Sequence, residues 1–141
     1  MTRKIVEKYI KMDVSFSAIN SNSKHNYEED SFKHMVDVMK THHFPWIYLY
    51  DEKQDIAKKY GALRTPHFYV FDHNRKLVYT GRATDNPRFP EKATTRDLER
   101  ALDEILAGRK VSVPKTNPIG CNVKWEGKDA HWMPPEACDL V

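Results

Sequence analysis

Cysteine and glycine are both scarce in this sequence. Its 141 residues contain two cysteines, Cys121 and Cys138, which lie too far apart to form a Cys-x-x-Cys motif. Without that spacing or a neighbouring base, no feature of the sequence is seen to activate a thiolate. The five glycines form no glycine-rich phosphate loop, and there is neither a Gly-x-Ser-x-Gly motif nor a readable carboxylate pair. The common motifs of nucleotide-binding enzymes and serine hydrolases are therefore missing.

Long apolar runs and an excess of one charge are missing as well. No apolar stretch approaches the length of a transmembrane helix, and residues 1–7 hold no signal-peptide core. The net charge of +3 is mild, and Lys and Arg are interspersed among Asp and Glu rather than gathered in a basic stripe. We therefore expect a single soluble, cytoplasmic domain with its own core, and neither a membrane nor a nucleic acid as partner.

Residues 60–72, Tyr-Gly-Ala-Leu-Arg-Thr-Pro-His-Phe-Tyr-Val-Phe-Asp, are the most informative part of the chain. Gly61 suits the left-handed position that ends a helix. Pro66 lacks a backbone N–H, so it fits the start of a strand but not its middle. The apolar run His67–Phe71 predicts a strand covered on both faces. A polar turn follows, and Lys76–Arg82 then predicts the second strand of a hairpin.

Hydrophobic periodicity predicts helices and further strands around this stretch. The predicted helices are Thr2–Lys11, Glu29–Thr41, Glu52–Tyr60 and Thr94–Ala107, and the predicted strands are Val14–Ile19 and Pro45–Tyr50. We predict that Asp51 caps the third helix, and that Thr94 and Asp97 form a capping pair at the fourth. Residues 20–26 are interpreted as a solvated loop. His42–His43 is interpreted as a helix end rather than a metal site.

The chain thus divides into an α/β domain over residues 1–108 and an extended C-terminal tail over residues 109–141. The tail has no hydrophobic periodicity and contains Pro114, Pro118, Pro134 and Pro135. Trp125 and Trp132 predict that parts of it pack on the domain, while the last residues are expected to be loose.

The order of these pieces resembles the thioredoxin-like proteins of the alkyl hydroperoxide reductase/thiol-specific antioxidant (peroxiredoxin-like) superfamily. The resemblance is carried by Ala18–Asn22, Glu29–Phe32, Tyr48–Glu52, Tyr60–Pro66, Leu77–Arg82 and Pro118–Trp125. Each motif is weak alone, but together and in order they span nearly the whole chain. The resemblance implies a three-layer α/β sandwich of the thioredoxin type. It also implies a cis Thr65–Pro66 bond facing the active cysteines, whereas the two residues alone permit either isomer.

In the superfamily that this chain resembles, a strand and a Cys-x-x-Cys-Pro turn precede the helix that corresponds to Thr2–Lys11. The N-terminus of that helix lowers the pKa of the attacking thiol. The present sequence begins after the turn, so we expect an N-terminally incomplete fold without a catalytic residue. The absent strand would lie between Val14–Ile19 and His67–Phe71. Its absence would leave two open strand edges, through which the chain could self-associate.

The resemblance implies the lineage of a thiol–disulfide oxidoreductase or thiol peroxidase, acting on a protein thiol, disulfide or peroxide without cofactor or metal. Arg64, Thr65 and Pro66 would line the substrate groove, with the Thr65 main chain free to bind an extended substrate. Arg64 is otherwise interpreted as a surface charge. Because the cysteine pair is absent, we expect little turnover. The alternative is a redox-silent thioredoxin-like module that binds a partner protein, by strand addition among other modes.

Cys121 and Cys138 are the candidate redox thiols. A third hypothesis makes them a regulatory disulfide, and the competing interpretation is one packed thiol and one incidental exposed thiol. A zinc site formed by Cys121, His131 and Cys138 is disfavoured, because the spacing matches no common zinc pattern and no fourth ligand is apparent.

Overall fold

A computed structural model describes residues 1–25 and 28–127. The helices are α1 (Thr2–Ile10), α2 (Phe32–His42), α3 (Asp55–Tyr60) and α4 (Asp97–Leu106). The strands are β1 (Ser17–Asn20), β2 (Ile47–Tyr50), β3 (Arg64–Thr65), β4 (Phe68–Phe71), β5 (Leu77–Gly81) and β6 (Cys121–Asn122). Short 3₁₀ turns occur at Glu28–Asp30 and Pro90–Lys92. The predicted α/β class and element order are confirmed, with the short β3 and β6 added.

The described chain forms two compact units. The N-terminal unit comprises residues 2–62 and 122–127, and the C-terminal unit comprises Met1 and residues 63–121. The domain boundary that the sequence suggested at residue 108 stays a prediction. Residues 109–121, predicted as tail, fall within the C-terminal unit.

In the N-terminal unit, β1 and β2 are parallel neighbours joined by α2. Their register pairs Ser17 with Ile47 and Ile19 with Leu49. Helix α1 presents Ile5, Val6 and Tyr9 as one buried stripe, as its periodicity predicts. β1 begins three residues later than predicted because Val14 still donates its N–H to the carbonyl of Tyr9, which closes the turn after α1.

The ends of α2 and α3 follow from single residues. Ser31 caps α2 by accepting a hydrogen bond from the N–H of His34, and the left-handed His43 ends the helix. The interpretation of His42–His43 as a helix end is confirmed. The Asp51 carboxylate accepts hydrogen bonds from the N–H groups of Ile56 (3.3 Å) and Ala57 (3.0 Å), which confirms its capping role.

The loop after β1 is not the solvated connector that its polar residues suggested. Ser23 is buried, and its N–H donates to the carbonyl of Lys124 at 2.8 Å. Gln54, also buried, donates from Nε2 to the same carbonyl at 2.9 Å and accepts from the N–H of Glu126 at 2.9 Å. These bonds hold residues 122–126 against the N-terminal unit, where Trp125 is 6% exposed. The polar composition of the loop predicted exposure to solvent, and this was wrong because the loop's hydrogen-bond partners come from a distant part of the chain.

The C-terminal unit is built on the antiparallel hairpin of β4 and β5, with a bulge between Val70 and Phe71. Helix α4 buries its apolar face, formed by Leu98, Ala101 and Leu102. Tyr79 is fully buried. Gly108, with φ of 71°, follows the end of α4 as predicted.

The predicted capping pair at α4 is wrong. Thr94 donates its N–H and hydroxyl to the Asp85 carboxylate rather than meeting Asp97. The helix begins at Asp97, whose carboxylate is bound by arginine side chains and so does not serve as a cap. A capping motif in sequence could not reveal these ion-pair partners.

Each of the sheets in the described residues has two strands. On one face of the β1–β2 sheet, Ile19, Ile47 and Leu49 are 42%, 64% and 47% exposed. The open edges and the self-association expected from the sequence stay predictions. No helix among the described residues has the length and apolar character needed to cross a bilayer.

Candidate functional site

The Thr65–Pro66 peptide bond is cis and lies at the surface of the C-terminal unit. Both residues are exposed, and Arg64 is half-buried beside them. The sharp reversal ends β3 at Thr65 and lets β4 begin at Phe68. Arg64, Thr65 and Pro66, which the resemblance places in a substrate groove, lie on one turn, here called the Pro66 turn (residues 63–67).

His67 fixes the Pro66 turn from inside. Its Nδ1 accepts a hydrogen bond from the N–H of Leu63 at 3.3 Å, which closes the turn. That bond leaves the ring proton on Nε2, which lies 3.0 Å from the hydroxyl oxygen of Thr80 and donates to it. The ring also stacks on Tyr69, with centroids 4.5 Å apart. The sequence pattern indicates only that His67 begins a strand, because its partners Leu63 and Thr80 are not apparent from local pattern.

The environment of His67 favours its neutral form. Burial and, to a lesser extent, the positive charge of Lys115 together lower the pKa of this imidazole from 6.5 to about 4. A neutral ring is what the turn requires, since a protonated Nδ1 could not accept the hydrogen bond from Leu63. The geometry of the Pro66 turn is thus coupled to the protonation state of one side chain.

This coupling predicts a specific loss of stability in mild acid. The folded-state pKa of His67 lies below the ordinary value of 6.5, so protonation favours the unfolded chain. Its contribution is complete above pH 6.5 and is lost as pH falls from there towards 4. Between pH 8 and pH 5 we expect the wild-type free energy of unfolding to fall by about 1–2 kcal/mol more than that of His67→Gln. Urea unfolding at the two pH values measures this difference.

His73→Gln is the matched control, because His73 is exposed in the turn between β4 and β5. Its pH dependence should equal that of the wild type. If His67→Gln loses stability between pH 8 and pH 5 as steeply as the wild type, the assignment is wrong.

The other side of the Pro66 turn is covered by the chain's own later residues. β3 is paired with β6, whose Cys121 belongs to the same unit. Gly120 lies so close that a Cβ placed on it would overlap the Thr65 carbonyl oxygen and stand 3.2 Å from Pro66 N. The expectation that the Thr65 main chain is free for an extended substrate stays a prediction. Gly120–Cys121 lies against this part of the turn.

The covering residues reach the turn along β5. The N–H of Thr80 donates to the carbonyl of Pro114, and the N–H of Thr116 donates to the carbonyl of Thr80, each at 3.0 Å. The Thr116 hydroxyl oxygen also accepts from the N–H of Arg82 at 3.0 Å and lies 2.7 Å from the Tyr79 hydroxyl. Pro118–Trp125 contributes to the family resemblance, but the sequence does not indicate that this segment lies against the turn, because it has no hydrophobic periodicity.

The remaining candidate residues are placed as follows. Cys121 is a free, exposed thiol. Cys138 and His131 lie outside the described residues, so the proposed pairing of the two cysteines stays untested. In residues 1–25 and 28–127, no three His, Cys, Asp or Glu side chains come together in a way that could hold a metal ion.

The chain is similar to known proteins both in sequence and in structure. The model of the Redoxin family matches residues 1–102. No curated protein matches the sequence. A solved structure of an uncharacterized conserved protein from Geobacillus kaustophilus is 40% identical, with a TM-score of 0.81 over 90% of this chain and 68% of that one. A hypothetical protein from Sinorhizobium meliloti 1021 is 34% identical, with a TM-score of 0.80 over 90% of this chain and 70% of that one.

These similarities confirm the predicted superfamily and its thioredoxin-like fold. The chain belongs to the Redoxin family, and so to the thioredoxin-like redox proteins.

Proposed function

We propose that this chain carries the substrate-binding side of a thiol–disulfide oxidoreductase or thiol peroxidase, and that the 141-residue polypeptide does not itself turn over. Its substrate would be a protein disulfide or a peroxide. Thr65 and Pro66 would contact that substrate, and the Arg64 guanidinium would stabilise a nearby thiolate. No cofactor or metal is required for this chemistry.

The observation that carries the proposal is the exposed cis Thr65–Pro66 turn in a Redoxin-family chain. His67 holds the turn from inside, so Thr65 and Pro66 are presented on a fixed backbone rather than on a mobile loop. A substrate-positioning element needs this kind of support, because small displacements of a bound substrate cost rate.

The absence of turnover is proposed from the chemistry of thiols. Attack on a disulfide or a peroxide needs a thiolate, which proteins generate at helix N-termini or beside a basic side chain. The sequence contains no Cys-x-x-Cys pair. Cys121 lies on the short strand β6 rather than at a helix N-terminus. The polypeptide therefore lacks a visible means of activating a nucleophile.

A turnover assay tests this proposal. The protein is supplied with dithiothreitol and either insulin, as a disulfide substrate, or hydrogen peroxide. We expect rates equal to those measured without protein. Turnover that disappears in a Cys121→Ser, Cys138→Ser double variant would contradict the proposal and assign the chemistry to the tail thiols.

The second candidate is a redox-silent binding module that uses the same turn. It is favoured by the exposure of Thr65 and Pro66 in a chain without the cysteine pair. Absent turnover combined with saturable binding of an extended peptide beside Thr65 would support this candidate over an enzyme.

A further inference from the structure

We infer that residues 118–121 occupy the substrate groove of the folded chain and lie against Thr65 and Pro66, where an extended polypeptide would bind. These four residues, Pro-Ile-Gly-Cys, are called the tail strand. The inference rests on the proposed function, because the groove is the same. It adds that an external polypeptide binds there only by displacing the tail strand.

Gly120 is the point of closest approach. A Cβ placed on this residue would lie 2.7 Å from the carbonyl carbon of Thr65 and 3.2 Å from Pro66 N, besides overlapping the Thr65 oxygen. All three atoms belong to backbone that a neighbouring side chain cannot push aside. The main chain of Gly120 therefore lies directly on the Thr65–Pro66 peptide, and only glycine permits that approach.

The tail strand also uses the groups that an added strand would need. Strand addition binds a peptide through the main-chain N–H and C=O groups of an exposed sheet edge. At Arg64–Thr65 that edge is paired with β6, beginning at Cys121. An external strand that added along this same edge would therefore compete with the tail strand.

The tail strand is held mainly by its main chain and its tether. Cys121 is exposed and Ile119 is 37% exposed, so neither side chain is locked in a core. Thr116 anchors the segment to β5 through its N–H and hydroxyl, and only three residues separate it from Gly120. A tether this short gives a high effective concentration at the groove, of the order of millimolar. The side chains of Ile119 and Cys121 thus contribute little to holding the tail strand in the groove.

Occupancy by a tethered strand reduces the apparent affinity for any competitor. The measured dissociation constant of an external peptide equals its intrinsic value divided by the fraction of molecules with an open groove. Weakening the tail strand alone should therefore tighten external binding without changing Thr65 or Pro66.

The test uses Gly120→Ala and a peptide added in trans. The probe is a fluorescein-labelled synthetic peptide of residues 117–124, with serine at the position of Cys121 and its glycine retained. We expect Gly120→Ala to bind this peptide at least about tenfold more tightly than the wild type by fluorescence anisotropy. A second peptide with alanine at the glycine position should bind neither protein.

Gly108→Ala is the matched control, because a Cβ there meets nothing within 4 Å. It should bind the peptide like the wild type. Equal affinity of Gly120→Ala and wild type would overturn the inference and leave the proposed groove intact. If neither folded protein binds, the proposed groove fails and the inference fails with it.

A measurement on the wild type covers the case in which Gly120→Ala does not fold. Hydrogen exchange is recorded with and without saturating glycine-containing peptide. We expect the backbone amides of residues 119–121 to lose protection when the peptide binds, since the tail strand has been displaced. Bound peptide with unchanged protection at these amides would overturn the inference.

Discussion

Replacing Asp97 with alanine is expected to lower the free energy of unfolding by about 3 kcal/mol. The Asp97 side chain is 3% exposed and accepts hydrogen bonds from Arg82 Nε at 2.8 Å and Arg100 Nη2 at 2.7 Å. The hydroxyl of Thr95 donates to the same carboxylate at 2.9 Å. Removing the carboxylate leaves two cations and a hydroxyl without their acceptor.

The size of this effect is set by how well the arginines can return to water. Their side chains are 26% and 39% exposed, so each guanidinium regains part of its hydration. This places the loss at the lower end of the range for breaking a buried ion pair. It remains well above the effect of an exposed pair, which is commonly below about 1 kcal/mol.

Arg96→Ala is the control for Asp97→Ala, because Arg96 is 67% exposed and meets Glu99 only at 3.8 Å. It should change the free energy of unfolding by less than about 0.5 kcal/mol. Urea unfolding followed by tryptophan fluorescence and circular dichroism measures both variants. A loss for Asp97→Ala no larger than that for Arg96→Ala would show that the ion pairs contribute nothing to stability.

The second large effect is expected for Gly81→Ala, at about 3 kcal/mol. Gly81 ends β5 with φ of 144°, a conformation that side chains rarely adopt. A Cβ there would also overlap the hydroxyl and carbonyl oxygens of Thr116. The backbone strain and the displaced Thr116 both destabilise the folded state. The change should in addition weaken the bonds from Thr116 to Tyr79 and Arg82.

Gly108→Ala is the comparison for this loss. Gly108 also has a positive φ, 71°, but a Cβ there meets no atom within 4 Å. It should cost only about 1 kcal/mol, the usual penalty for a side chain in the left-handed region. The excess loss of Gly81→Ala in urea unfolding combines the contact with Thr116 and the greater strain at φ of 144°. Equal losses in the two variants would contradict the prediction.

Local chemistry was enough to predict most of the secondary structure. The stripe of Ile5, Val6 and Tyr9 requires a helix, and Gly61 adopts the left-handed conformation that ends α3. Asp51 caps α3 because its carboxylate is within reach of N–H groups only a few residues away. In each case the decisive partners lie within one or two turns in the sequence.

The conformation and the contacts of the Pro66 turn could not be predicted from the residues alone. Its residues were identified by resemblance, and neither Thr65 nor Pro66 alone distinguishes cis from trans. The side chain that fixes the turn, His67, was not singled out, because its bond to Thr80 joins two strands. The occupation of the edge by Gly120 and Cys121 depends on residues more than fifty positions away. Such contacts follow from tertiary packing, which no local pattern encodes.

The attachment of Thr116 to β5 has a consequence for synthesis on the ribosome. The chain emerges from its N-terminus, so β4, β5 and α4 leave the exit tunnel before the residues that complete their packing. Until residue 116 emerges, the main chain of Thr80 lacks its bonds to Pro114 and Thr116, and the hydroxyl of Tyr79 has the carbonyl of Arg82 but not Thr116. The C-terminal unit therefore cannot finish folding as its helix appears. Its completion awaits residues 114–116, and until they emerge the edge of the unfinished hairpin is hydrated.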